Sequence, residues 1–224
     1  MYDRGEGAFL QDLLAAFVLA GGKSTRMGED KAFVVLDGLT LLDRALDAAR
    51  AVTSDVSVVG DATKFAEFAP VVEDVFRKCG PLGGVHAALL ASRAELNLML
   101  AVDVPFVSPT LMEFLIARAK HSEALVTVAR VAGRFQPLGA VYRREFAGVA
   151  EKALRAGKYK IGALFEDCAT QVIEEAELAA AGFSATMFRN LNTPEELRAA
   201  GAETSFEADG RVAEILRSEE RRSG

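Results

Sequence analysis

An apolar run, Phe17-Val18-Leu19-Ala20, feeds straight into Gly21-Gly22, and Lys23, Arg26, Gly28 and Lys31 follow before the next apolar segment. A buried strand that stops on paired glycines lets the backbone turn sharply, with no side chains covering its N–H groups. Bare amides in a concave turn, flanked by Lys and Arg heads, form a receptor for polyphosphate. Two better-known phosphate loops are excluded by spacing. Gly22-Lys23-Ser24 has the ending of a P-loop, but that pattern needs a glycine where Phe17 stands. A dinucleotide fingerprint needs G-x-G-x-x-G, which Gly21-Gly22 followed by Gly28 does not supply.

Downstream, strand and helix signals alternate. Phe33-Val34-Val35-Leu36 reads as a short strand closed by the turn Asp37-Gly38, and Thr40 caps a helix running to about Val52. Val56–Val59 is a β-branched strand ending at Gly60-Asp61, followed by a short helix over 62–68 and a strand at Val71-Val72. This alternation predicts an α/β fold: three layers, doubly wound, around a mostly parallel sheet. Ligands of such sheets bind beyond the carboxyl ends of the strands. Glu73-Asp74 lies at one such end, and Cys79-Gly80-Pro81-Leu82-Gly83-Gly84 precedes a helix from Val85 through Ala91. Leu96–Val102 is the most hydrophobic strand, hence central, and it stops on Asp103-Val104-Pro105. A carboxylate ending a buried strand above a phosphate loop suits Mg²⁺, which takes one or two protein carboxylates and fills its other sites with phosphate oxygens and water. Capping of the next helix does not need Asp103, because Ser108 before Pro109 does that job.

The second half departs from simple alternation. After a helix over Thr110–Lys120, Leu125–Ala129 and Phe135–Val141 flank Ala132-Gly133, which predicts a small antiparallel excursion. Helices near 143–156 and 161–165, a strand at Thr170–Ile173, a further helix and Met187-Phe188 complete the order. Thr193 and Glu196 make a capping box with Pro194 at the first helical position; that local role leaves Asn190 and Asn192 unexplained. Residues 1–15 read as an extension, with Phe9-Leu10 and Leu13-Leu14 suiting a short helix; 16–203 form the domain, and 204–224 a charged helix or tail.

A chain of 224 residues buries one full core. Its net charge of −6 excludes a general nucleic-acid binder, and no apolar run approaches the length needed to cross a bilayer. The opening residues lack a cationic region before an apolar core, so no signal peptide is expected. Cys79 and Cys168 form no framework, and a reduced cytoplasmic setting is the simplest expectation.

The segment L-A-G-G-x-S-x-R-M-G-x-D-K, from Leu19 to Lys31, resembles the signature loop of the molybdenum cofactor guanylyltransferases (the MobA family), nucleotidyltransferases with a Rossmann-like core. Related cytidylyltransferases more often carry Ala-Ala-Gly where this chain has Ala20-Gly21-Gly22, so Gly21 points to a guanine nucleotide. The resemblance spans about residues 16–200. It implies Mg²⁺-dependent transfer of GMP from GTP to molybdopterin, with release of pyrophosphate. Leu19, Ala20, Gly21, Gly22, Lys31, Asp74 and Asp103 match nucleotide-binding positions, Arg26, Lys31 and Asp103 catalytic ones, and Asp103 the Mg²⁺ ligand. Gly83 in G-P-L-x-G, Gln136 in Q-P-L, and Asn190 and Asn192 in N-x-N-T-P-E match the acceptor side. A molybdenum-insertion protein and molybdoenzyme chaperones are the further partners it implies. No general base is demanded, since the acceptor phosphate is already anionic, and His86 and His121 lie outside these motifs. Two other readings compete: a nucleotidyltransferase using CTP or a sugar or polyol phosphate acceptor, and a non-catalytic nucleotide-binding module. Gly21 and N-x-N-T-P-E favour the molybdenum branch over the first, and Arg26, Lys31 and Asp103 together speak against the second.

Overall fold

The computed structural model describes residues 14–21, 30–191, 193, 195, 196 and 199. Strand β1, Leu14–Leu19, is buried at every position. It starts two residues earlier than its apolar run suggests: Leu14 and Ala15, expected in the extension, pair with Leu96 and Asn97 of the neighbouring strand. Burial on both faces of a parallel sheet erases the alternation that would mark a strand boundary. Residues 1–13 and the charged segment 204–224 lie outside the described residues.

After the loop, a 3-10 turn at Lys31–Phe33 takes Phe33 out of the expected strand, with the Asp30 side chain accepting from the Ala32 amide. Strands β2 (Val35–Leu36) and β3 (Leu39–Thr40) form a hairpin closed by Asp37 and Gly38, both at positive φ, as the tightest hairpin turns require. Thr40 then caps helix α1, Leu41–Arg50, by accepting from the Asp43 amide, and Leu41, Leu42, Ala45, Leu46 and Ala49 form its buried stripe. The order continues with β4 (Val56–Val59), the short helix α2 (Ala62–Phe65), β5 (Val71–Val72), α3 (Pro81–Ala91), β6 (Leu96–Ala101) and α4 (Pro109–Lys120, capped by Ser108). Next come β7 (Val126–Val131), β8 (Arg134–Phe135), β9 (Ala140–Arg143), α5 (Phe146–Arg155), β10 (Thr170–Glu174) and α6 (Glu175–Ala180).

The main sheet runs β10-β7-β9-β6-β1-β4-β5, with β8 pairing on β7. Strands β5, β4, β1 and β6 are parallel, β9 is antiparallel to both its neighbours, and β7 and β10 are parallel to one another. The antiparallel excursion is therefore β8 and β9, turned at Ala132-Gly133. One face, with Ala16, Val18, Leu98 and Leu100, packs against α1 and α4. The other, with Phe17, Leu19 and Met99, packs against α3 and α5. Three layers result. Strand order reverses between β1 and β6: the chain steps outward through β4 and β5, then returns to the opposite side of β1. A crevice opens beyond the strand ends at such a switch point.

Candidate active site at the sheet's switch point

Strand β1 delivers its glycine loop to that crevice. The Ala20 amide donates to the Val59 carbonyl at 3.0 Å and the Val102 amide to the Leu19 carbonyl at 3.3 Å, so the ends of β1, β4 and β6 are tied side by side. Gly21 is exposed there; residues 22–29, which include Gly22 and Arg26, lie outside the described residues. The chain returns at Asp30, whose carboxylate meets Lys64 Nζ at 2.6 Å. Phe33 packs on Phe65 and Phe68, each ring centroid 5.8 Å away. The returning leg of the loop is thus fastened to α2.

The next residue carries the decisive contact. Lys31 Nζ lies 3.1 Å from Asp103 Oδ2, with the two side chains 15% and 28% exposed. Residues 72 positions apart in sequence meet because β1 and β6 are paired from Leu14–Leu96 to Leu19–Ala101. The Leu191 amide donates to the Asp103 carbonyl at 2.9 Å, which brings the exposed Asn190 beside the same residue. Asn192 lies outside the described residues, but the capping box after it forms: the Glu196 amide donates to Thr193 Oγ1 and the Thr193 amide to the Glu196 carboxylate.

A cleft of about 410 Å³ opens on the β4–β5 side, with Ala20, Gly21, Asp30, Lys64, Asp74 and Lys78 in its walls. Asp74 is half-buried, and that burial raises its carboxyl above the ordinary aspartate range. At the end of β4, the Thr63 hydroxyl and amide donate to Asp61 and hold that carboxyl below its ordinary value. Its partnership with Asp30 keeps the Lys64 ammonium charged, its pKa raised. Asp30, Asp61, Lys64 and Lys78 were not singled out from sequence. Asp61 stands at a strand end, where the switch-point rule points; Lys78 owes its place to a positive φ of 66° that no sequence pattern marks.

The sign of the Asp74 shift makes a prediction. Burial opposes its charged form, so at neutral pH the carboxylate subtracts from stability, and that penalty vanishes as acid protonates it. Asp74→Asn is expected to raise the thermal midpoint at neutral pH, with the gain shrinking as the pH falls and gone by about pH 4, where the unfolded carboxyl also takes up its proton. Differential scanning calorimetry across that range checks it.

Two further residues expected at the site, Gly83 and Gln136, stand on other elements. Helix α3 begins at Pro81, not Val85, and absorbs the glycines of G-P-L-x-G. Gly83 is buried, its amide donates to the Gly80 carbonyl, and a Cβ there would sit 2.8 Å from the Phe76 carbonyl oxygen. A Cβ on Gly84 would meet Leu19 at 3.1 Å and Val59 at 3.3 Å. These glycines admit neighbouring protein. Gln136 takes the Ala129 carbonyl of β7 on its amide, two strand positions from β6. Its segment is held by the Tyr142 hydroxyl, which donates to the Pro137 carbonyl at 2.8 Å.

Asp103 offers one carboxylate just past the end of β6, where it meets Lys31. Among the described residues no cluster of three or more His, Cys, Asp or Glu side chains exists that would cage a metal. A lone carboxylate beside a phosphate loop suits a hard cation that arrives with phosphate and water as its remaining ligands, which is the coordination habit of Mg²⁺. The donor set fits that ion. No helix among the described residues is long and apolar enough to cross a membrane.

Comparison with known proteins gives the family. Residues 16–172 match the MobA-like NTP transferase domain. A molybdenum cofactor guanylyltransferase of Desulfosudis oleivorans is 32% identical over 194 residues, covering 85% of this chain and 96% of the relative. One from Vibrio vulnificus is 31% identical, covering 84% and 95%. The crystal structure of molybdopterin-guanine dinucleotide biosynthesis protein A from Archaeoglobus fulgidus superposes with a TM-score of 0.75 at 26% identity, covering 85% and 98%.

Proposed function

This chain belongs to the MobA-like NTP transferase family of nucleotidyltransferases, and from that premise we propose that it transfers GMP from GTP to the terminal phosphate of molybdopterin. The 3.1 Å pairing of Lys31 with Asp103 carries the reading. It puts a cation from the glycine loop and a carboxylate from the central strand at one point. The names of the relatives support the guanine donor and the molybdenum acceptor.

In the proposed reaction an acceptor phosphate oxygen attacks the α-phosphorus of GTP. The bond from that phosphorus to the bridging oxygen breaks, and pyrophosphate leaves with the electron pair. The nucleophile is already an anion at neutral pH, so the burden is electrostatic: two anions must meet in line, and charge must be offset on the leaving group. Amides of Gly21 and Gly22, with Arg26 and Lys31, are assigned to the triphosphate. The cleft holding Asp74 is assigned to the nucleoside, and Gln136, Asn190 and Asn192 to the acceptor. Asp103 is assigned to Mg²⁺, which when bound withdraws charge from phosphate oxygens. The cytoplasm is the proposed setting; neither Cys79 nor Cys168 is in a disulfide.

Pyrophosphate release tests the reading. With molybdopterin and Mg²⁺ present, release is expected from GTP and not from CTP or ATP. Preference for CTP would overturn the donor assignment, and release that ignores molybdopterin would overturn the acceptor.

A further inference from the structure

The loop between β5 and α3 carries Asp74, Lys78 and Gly80 of the cleft, yet residues 73–80 contain no helix or strand. Lys78 and Gly80 both sit at φ 66°, a conformation that a lysine holds only when its surroundings impose it. Behind the loop, Phe76 meets three neighbours. The Phe76 ring meets the His86 ring edge-on, centroids 5.2 Å apart at 73°. The Arg155 guanidinium stands 5.9 Å from the Phe76 centroid and is itself paired with Glu151 at 2.7 Å. The Phe76 carbonyl fills the space that the missing side chain of Gly83 leaves open.

His86 is only 1% exposed, and neither ring nitrogen has a hydrogen-bond partner among the described residues. Such a group costs stability unless its ring is used as an apolar surface. Burial lowers its pKa, against the opposing pull of Glu151 and alongside the push of Arg155, so the imidazole that Phe76 meets is neutral. Helices α3 and α5 therefore present a ring edge, a guanidinium face and a notch, and one phenylalanine engages all three.

We propose that Phe76 is a positioning residue for the nucleotide: held by His86, Arg155 and the Gly83 notch, it sets where Asp74 and Lys78 stand in the cleft. The proposal rests on the nucleotide reading of that cleft. Phe76 itself does not line the cleft. It acts through Asp74 and Lys78, two positions to either side, so releasing it loosens GTP in ground state and transition state alike.

Steady-state kinetics with GTP as the varied substrate test this. Phe76→Ala is expected to raise KM for GTP about 10-fold and leave kcat within about 2-fold, the signature of lost uniform binding. Phe76→Tyr keeps the ring and restores KM. Arg155→Gln, on a side chain 69% exposed, leaves the fold intact and raises KM about 3-fold. Asp74→Ala serves as the control for the cleft itself. If Asp74→Ala raises KM and Phe76→Ala does not, the positioning role is overturned while the nucleotide cleft stands. If neither variant moves KM, both fall together. A fall in kcat at unchanged KM in Phe76→Ala also overturns the proposal.

Discussion

Lys31→Ala is expected to lower turnover by at least about 10²-fold, the scale seen when one preorganised charge-stabilising donor is removed from a site of developing negative charge. Lys31 stands at the returning end of the glycine loop, with Asp30 tied to Lys64 and Phe33 packed on α2. Its ammonium is mostly shielded from solvent, so screening by water and salt is weaker than at an open surface. The loss falls on kcat/KM in a pyrophosphate-release assay with GTP and molybdopterin. A near-normal rate would remove Lys31 from the catalytic set.

Asp103→Ala is expected to abolish the proposed Mg²⁺-dependent activity and to leave the fold intact. Two features keep the effects apart. The side chain of Asp103 meets Lys31, whereas its structural tie to the C-terminal segment runs through its backbone carbonyl to the Leu191 amide, which the substitution spares. Strand β6 ends at Ala101, before this residue, so the parallel pairing with β1 is untouched. Circular dichroism and the thermal midpoint should match the parent protein while the response of pyrophosphate release to added Mg²⁺ disappears. A variant that retains its Mg²⁺ response would show that another group holds the cation. Removing Asp103 also leaves Lys31 without that carboxylate, so a double-mutant cycle on rate is expected to be non-additive.

The halves of the site differed in how far they could be read beforehand. The positions of Lys31, Asp103 and Asp74 were legible because each follows directly from a local pattern: a glycine turn after an apolar run, a carboxylate ending the most hydrophobic strand, an acid at a strand end. Helix starts at Thr40 and Ser108 were equally legible, since a cap is a contact between residues three positions apart. The start of β1 at Leu14 and of α3 at Pro81 were not. In β1 every position is buried, which leaves no polar alternation to mark the edge. In α3 the buried glycines look like loop residues, and only the closeness of Phe76, Leu19 and Val59 explains why they lie in a helix.

By itself the chain of residues determined its strand and helix alternation, the place of its glycine pair and the acids at the strand ends, because these depend on neighbours within a few positions. Tertiary structure alone decided that Lys31 meets Asp103, that Lys64 braces Asp30, and that Phe76 is seated between His86 and Arg155. Those meetings are set by strand order and register, and by helices packed on the opposite face of the sheet. Distance along the chain carries no trace of either.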